Sequence, residues 1–221
     1  MRARTVLSAA ALAAAATLTL TACGGGSGDG NDKISSAPTT ATTAPTSTTS
    51  PPQGKAVAID PTFKLPTGLT LTFDWTQPAD STKAAALTAT ANFMQSMAYG
   101  VVKQSATKSG LGTYATGGAL TYAKQYVQNH VDAKKALTGT DLVYRPVVKV
   151  ASNKAAAEVT FCEDQAKLYS KEVPTGKVNV TSPSDDDYTS YDIVLVKAQT
   201  RTQWWQAQSV NYKERAVECK Q

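Results

Sequence analysis

Histidine, cysteine and long apolar runs are scarce in this chain, and each scarcity removes a class of function. One histidine and three cysteines stand among 221 residues. A structural zinc site takes four such ligands held close together, so no metal and no cofactor are expected. No Gly-rich phosphate loop, Gly-x-Ser-x-Gly elbow or His-Glu-x-x-His pair occurs in the sequence, which leaves no recognisable catalytic residue. Basic residues number 22 against 17 acids, and apart from Lys134–Lys135 the lysines stand singly. Without a basic stripe interleaved with aromatics, nucleic acid is not an expected partner. The longest apolar run, residues 6–20, also falls short of the roughly 20 residues that a membrane-crossing helix needs.

What that run does offer is an export signal. Arg2 and Arg4 precede it, and Leu20, Thr21, Ala22 and Cys23 end it before three glycines. A charged front, a short apolar middle and small residues at the exit make a secretory signal. With its cysteine, the exit resembles a bacterial lipobox. The resemblance implies cleavage after Ala22 and acyl chains on Cys23, anchoring the protein to the outer face of the bacterial cytoplasmic membrane. Two or more acyl chains hold stably where one is marginal.

The chain divides at changes of composition: residues 1–22 are the signal, 23–55 a tether, and 56–221 a folded domain. The tether is rich in Gly, Ser, Thr and Pro and has too little apolar surface to offset the entropy of ordering. As a coil it spans on the order of 30 Å. The remainder is long enough for one domain with a sizeable core. With Cys23 acylated, Cys162 and Cys219 are the two thiols left, and an even pair in an exported chain reads as a disulfide. Free thiols and a metal site are the alternatives.

Within the domain, Leu69, Leu71 and Phe73 alternate with threonines as in a half-buried strand. Asp80 or Ser81 caps a helix to about Lys103, its stripe carried by Leu87, Ala91, Met94, Ala98 and Val101. A second helix is expected from Thr116 to about Leu137, with Leu120, Ala123, Val127 and Val131 inward. From Asp141 the period becomes two: a strand over 142–150 with an edge or bulge at Pro146, a second over 155–161 ending into Cys162, and a hairpin about Pro174–Gly176. Tyr188–Gln199 is apolar on both faces and reads as a central strand covered on both. The last long strand runs from Trp204 to Tyr212.

Helices followed by antiparallel strands describe an α+β domain, two or three N-terminal helices on a curved sheet of four to six strands. On Leu69–Trp75 (LTLTFDW), Tyr122–Asp132 (YAKQYVQNHVD), Thr138–Thr140, Phe161–Asp164, Trp204–Trp205 and Cys219, the domain resembles NTF2-like, SnoaL-like cone proteins. More narrowly, it is similar to secreted lipoproteins of high-GC Gram-positive bacteria that have no agreed activity. The cone class holds isomerases, dehydratases and non-enzymes, so the resemblance implies fold and location without chemistry.

The candidate pocket or surface residues are Tyr99, Tyr122, Tyr126, His130 and Trp204. His130 is the one histidine and the cheapest test of an enzyme, although Asp132, two positions on, points elsewhere on a helix. Trp204 and Trp205 face opposite sides of a strand. Asp185–Asp187 lacks the spacing and distal Glu of an EF-hand and reads as a solvated loop. The leading expectation is a non-catalytic surface lipoprotein binding a cell-envelope protein, a wall component or a small apolar ligand. The alternative is a pocket enzyme of isomerase or hydrolase type using His130 or an aspartate. A cavity with a buried carboxylate, or with His130 pointing into it, favours the enzyme. A filled core with an exposed aromatic patch favours the binding module.

Overall fold

A computed structural model describes residues 55–199 and 203–221. The signal, Cys23 and most of the tether lie outside the described residues. The fold begins with an irregular segment, residues 55–68, laid across the first helix. It is fixed there by polar groups of that helix: Asn92 accepts from the Asp60 amide at 2.6 Å and donates to the Ala58 carbonyl at 2.9 Å. Strand β1, Leu69–Asp74, follows, and then α1, Ser81–Val102. Asp80 caps α1 by accepting from the Lys83 amide at 2.8 Å, which satisfies an orphan donor of the first turn. All five residues of the expected stripe are buried, and so are Phe93, Ser96 and Met97 on other sides of the helix. A helix buried nearly all round is a core helix, enclosed by its neighbours instead of lying on the surface.

Two further helices, α2 (Leu111–Tyr114) and α3 (Gly117–Asp132), complete the helical layer. The α1–α3 contact needs Gly100, because a Cβ there would lie 2.7 Å from Val127 Cγ2. Helix α3 stops five residues before the expected Leu137. Lys134, at φ 53°, turns the chain through the left-handed region, and β2 starts at the next residue.

The strands are β2 (Lys135–Val150), β3 (Ala156–Glu172), β4 (Val178–Asn179), β5 (Tyr188–Lys197) and β6 (Trp205–Glu214). They form one six-stranded sheet in the order β1-β2-β3-β5-β6, with β4 paired to β3. Strand β1 joins β2 in parallel and the other pairs are antiparallel, so the sheet is mixed. The helices cover one face, over Val143, Val159, Phe161, Ile193, Leu195, Trp205 and Ala207, all buried. Pro146 sits at a bulge, with Arg145 at φ 53°.

Two sequence expectations change here. Strand β3 does not end at Cys162: it runs ten residues further and carries the first arm of the hairpin about Pro174–Gly176. Strand β5 is second from the sheet edge, and its Val194 and Val196 are only half-buried, so a single face of it is covered.

The far face carries a small cluster of Tyr144, Ala216 and Cys219. Cys162 and Cys219 are disulfide-bonded, with Cα atoms 5.5 Å apart. Arg145 donates to the Glu218 carbonyl at 2.9 Å, and Tyr144 donates to the Cys219 carbonyl. The acidic triplet also serves the C-terminal tail. Asp185 pairs with Lys220 and Asp186 with Arg215, while Asp187 closes a capping box with Ser184. Among the described residues no helix is long and apolar enough to cross a membrane, and no group of three or more His, Cys, Asp or Glu is placed to hold a metal.

Candidate functional site

Between α3 and the open end of the sheet lies a recess of about 440 Å³. Alternation on the strands builds one wall. Tyr191 on β5 stands opposite Tyr212 on β6, and Thr189 opposite Glu214, so four polar or aromatic groups of one sheet face meet there. Helix α3 supplies the other wall. Tyr122, Tyr126 and His130 recur every four residues and therefore share one face. The rings run as a chain: His130 to Tyr126 at 4.6 Å, Tyr126 to Tyr122 at 6.5 Å, Tyr122 to Tyr212 at 5.6 Å, and Tyr212 to Tyr191 at 6.1 Å between centroids. Phe161 stacks on Tyr191 at 5.1 Å and joins the chain to the core.

His130 is held by its own helix. Its Nδ1 lies 2.9 Å from the Tyr126 carbonyl oxygen. A carbonyl only accepts, so Nδ1 carries the proton and Nε2 is the basic nitrogen of the neutral ring.

Beneath the recess lies a pair of acids. Asp141 on β2 is 5% exposed and Glu163 on β3 is 2% exposed. Beside them is a void of only about 20 Å³, lined also by Leu71, Met94, Met97 and Ala98. Tyr126, Leu137, Gln165 and Tyr191 line both the void and the recess and so form the partition between them. Burial raises both acids, and the Glu163 charge raises Asp141 further: Glu163 is pushed up to about 7, and Asp141 lies well above the usual carboxylate range. Asp141 Oδ1 and Glu163 Oε2 have no ordinary hydrogen-bond donor. Burial disfavours ionisation of both carboxyls together, so the pair holds protons to higher pH than acids in water. Tyr191 and Gln165 lie beside Glu163 and favour its charged form. Tyr191, which lines both the recess and the void, stands between the recess and the pair. Burial also raises the phenols, Tyr122 to about 12 and Tyr126 and Tyr191 further, with the Glu163 charge adding to each.

No family model and no curated protein matches the chain. Solved structures do resemble it. An NTF2-like superfamily protein from Salmonella enterica is 15% identical, with 55% of this chain and 85% of that one covered and a TM-score of 0.36. A protein from Catenulispora acidiphila is 11% identical over 61% of this chain and 92% of that one, TM-score 0.39. The intermembrane-space region of the chloroplast protein ARC6 is 10% identical over 48% and 76%, TM-score 0.32. At such identities and TM-scores the likeness assigns this chain no family. The arrangement is α+β, helices packed on a mixed, mostly antiparallel sheet.

This α+β domain gathers three of the five candidate residues, Tyr122, Tyr126 and His130, into the recess. Tyr99 and Trp204 are elsewhere. Tyr99 packs on Phe63 at 5.5 Å, Phe63 on Tyr114 at 5.6 Å, and Tyr114 on Trp204 at 5.7 Å. Tyr114 and Trp204 border a second, more apolar groove of about 550 Å³, between α1 and the segment Ala58–Pro61. Trp205 is buried while Trp204 is 39% exposed, as their opposite faces require. The sequence reading missed Asp141 and Glu163. The available signal was phase: Glu163 continues the inward alternation of Ala157, Val159 and Phe161, and Asp141 that of Leu137 and Val143.

Proposed function

We propose that this chain is a lipid-anchored, extracytoplasmic binding protein whose NTF2-like cone takes a small ligand in the tyrosine recess. The observation that carries the reading is the recess itself. It is open to solvent, falls within the size range of small-molecule sites, and is lined by rings with convergent hydroxyl and amide groups. Tyr212, at 49% exposed, leaves part of this lining in contact with water. The lining suits a ligand with hydrogen-bonding groups better than a small apolar ligand, one of the three occupants expected from the sequence. The lipobox at Cys23, in a chain akin to lipoproteins of high-GC Gram-positive bacteria, supports placement at the outer membrane face.

A second reading, a pocket enzyme of isomerase or hydrolase type, draws on His130, which lines the recess, and on the buried Glu163, pushed up to about 7, a range that suits proton exchange. Against it, the carboxyl groups stand behind a partition, beside a void of about 20 Å³ that holds no substrate. Binding without turnover is the better-supported function.

A thermal-shift screen of small polar and aromatic compounds against the full chain tests the reading, repeated on Ser170→Trp. Ser170 lines the recess, and an indole there fills it. Stabilising compounds lose their effect in the folded plugged variant. A set of hits indifferent to the plug, or a screen with none, overturns the proposal.

A further inference from the structure

We infer that the ligand of the recess is a small organic cation, an amine or quaternary ammonium. This rests on the recess being a ligand site and adds the sign of the charge it selects.

The composition of the lining is the first ground. Tyr122, Tyr126, Tyr191 and Tyr212 run as a connected series of rings along the recess. The negative face of an aromatic ring attracts a cation, and cages of several rings recognise ammonium groups this way. The second ground is charge. Glu214 borders the recess, and among the described residues no lysine or arginine lines it. An anion would meet a carboxylate without a compensating cation.

The third ground is the field from behind and above. The acid pair beneath the partition carries a negative charge whenever it holds fewer than two protons. The last turn of α3, which bears His130, presents the negative end of its dipole on the recess side. Both sources have the same sign.

The test is a matched pair of probes titrated into the full chain and followed by the NMR signals of the tyrosine rings. Choline carries the charge, and 3,3-dimethylbutan-1-ol has the same shape without it. Choline is expected to bind at least about tenfold more tightly, the ratio that cation–π attraction in a partly desolvated site supplies. Glu214→Gln, at an exposed position, weakens choline severalfold and leaves the alcohol unchanged, and Tyr212→Leu weakens choline more than the alcohol. Equal or tighter binding of the alcohol overturns the inference, as does choline binding that ignores both substitutions. If choline fails while compounds from the plug-sensitive screen still occupy the recess, the cation inference falls and the binding site stands. If nothing occupies the recess, both fall.

Discussion

Replacing Glu163 by glutamine isolates the energetic consequence of the buried acid pair. In the folded chain Glu163 titrates near 7, against an ordinary glutamate value of 4.5. The shift is upward, so the folded state holds the proton more tightly than the unfolded state does. Stability from this group is fully present below about pH 4.5, falls as pH rises towards 7, and is flat beyond. Two and a half pH units at about 1.4 kcal/mol each give a loss of about 3 kcal/mol across that window. Asp141, also raised, adds a loss of the same sign at higher pH. Glutamine keeps the shape and cannot ionise. The variant should therefore match wild type near pH 4 and exceed it by about 2–3 kcal/mol at pH 8. Urea unfolding followed by tryptophan fluorescence, with the disulfide intact, measures both proteins at pH 4, 6 and 8. The exposed aspartates with lowered values, such as Asp80 and Asp185, act in both proteins and cancel in the difference. A wild-type stability that climbs between pH 4.5 and 7 while the variant's runs parallel to it would refute the reasoning.

Other consequences are separately measurable. Reducing the Cys162–Cys219 bond, or replacing both residues by alanine, should cost about 4 kcal/mol for a loop of 57 residues on the chain-entropy account, read as a lower melting temperature with reductant. Gly139→Ala should destabilise by about 3 kcal/mol or more, because its Cβ would lie 2.0 Å from the Lys167 carbonyl oxygen at φ +100°. Denaturant titration checks it, and a normal midpoint would contradict that contact. Cys23→Ser should move the protein from the membrane fraction to a secreted or unprocessed pool. Retention in the membrane, with no acyl label on the wild-type chain, would remove the anchor from the proposal.

Particular residues show which parts of this were legible in the sequence. Helix α1 announced itself through Asp80 and an apolar stripe that is fully buried, and the hairpin through Pro174–Gly176, because cap, period and turn chemistry are local. The end of α3 was not legible. Lys134 takes the left-handed conformation that glycine usually supplies at a helix end, so no residue type marked the stop and Leu137 fitted either period. The disulfide was readable from the count of cysteines. Its energetic context was not, since Arg145 meets Glu218 across 73 residues. In the site, Tyr122, Tyr126 and His130 share a face by spacing alone. Their partners Tyr191 and Tyr212 join them through strand register, a non-local fact. Glu163 and Asp141 were passed over because a charged residue ordinarily ends or exposes a strand. The pair departs from that rule, and burial favours the neutral form of both acids.

The claim that the recess binds a ligand is tested most directly by mapping plug-sensitive compounds onto the protein with labelled tyrosine rings. The account predicts saturable shifts at Tyr122, Tyr126, Tyr191 and Tyr212 together, with Tyr99 and Tyr114 unmoved in their separate cluster. Saturable shifts at Tyr99 and Tyr114, with the recess rings unchanged, would contradict it and move the site to the groove beside Trp204.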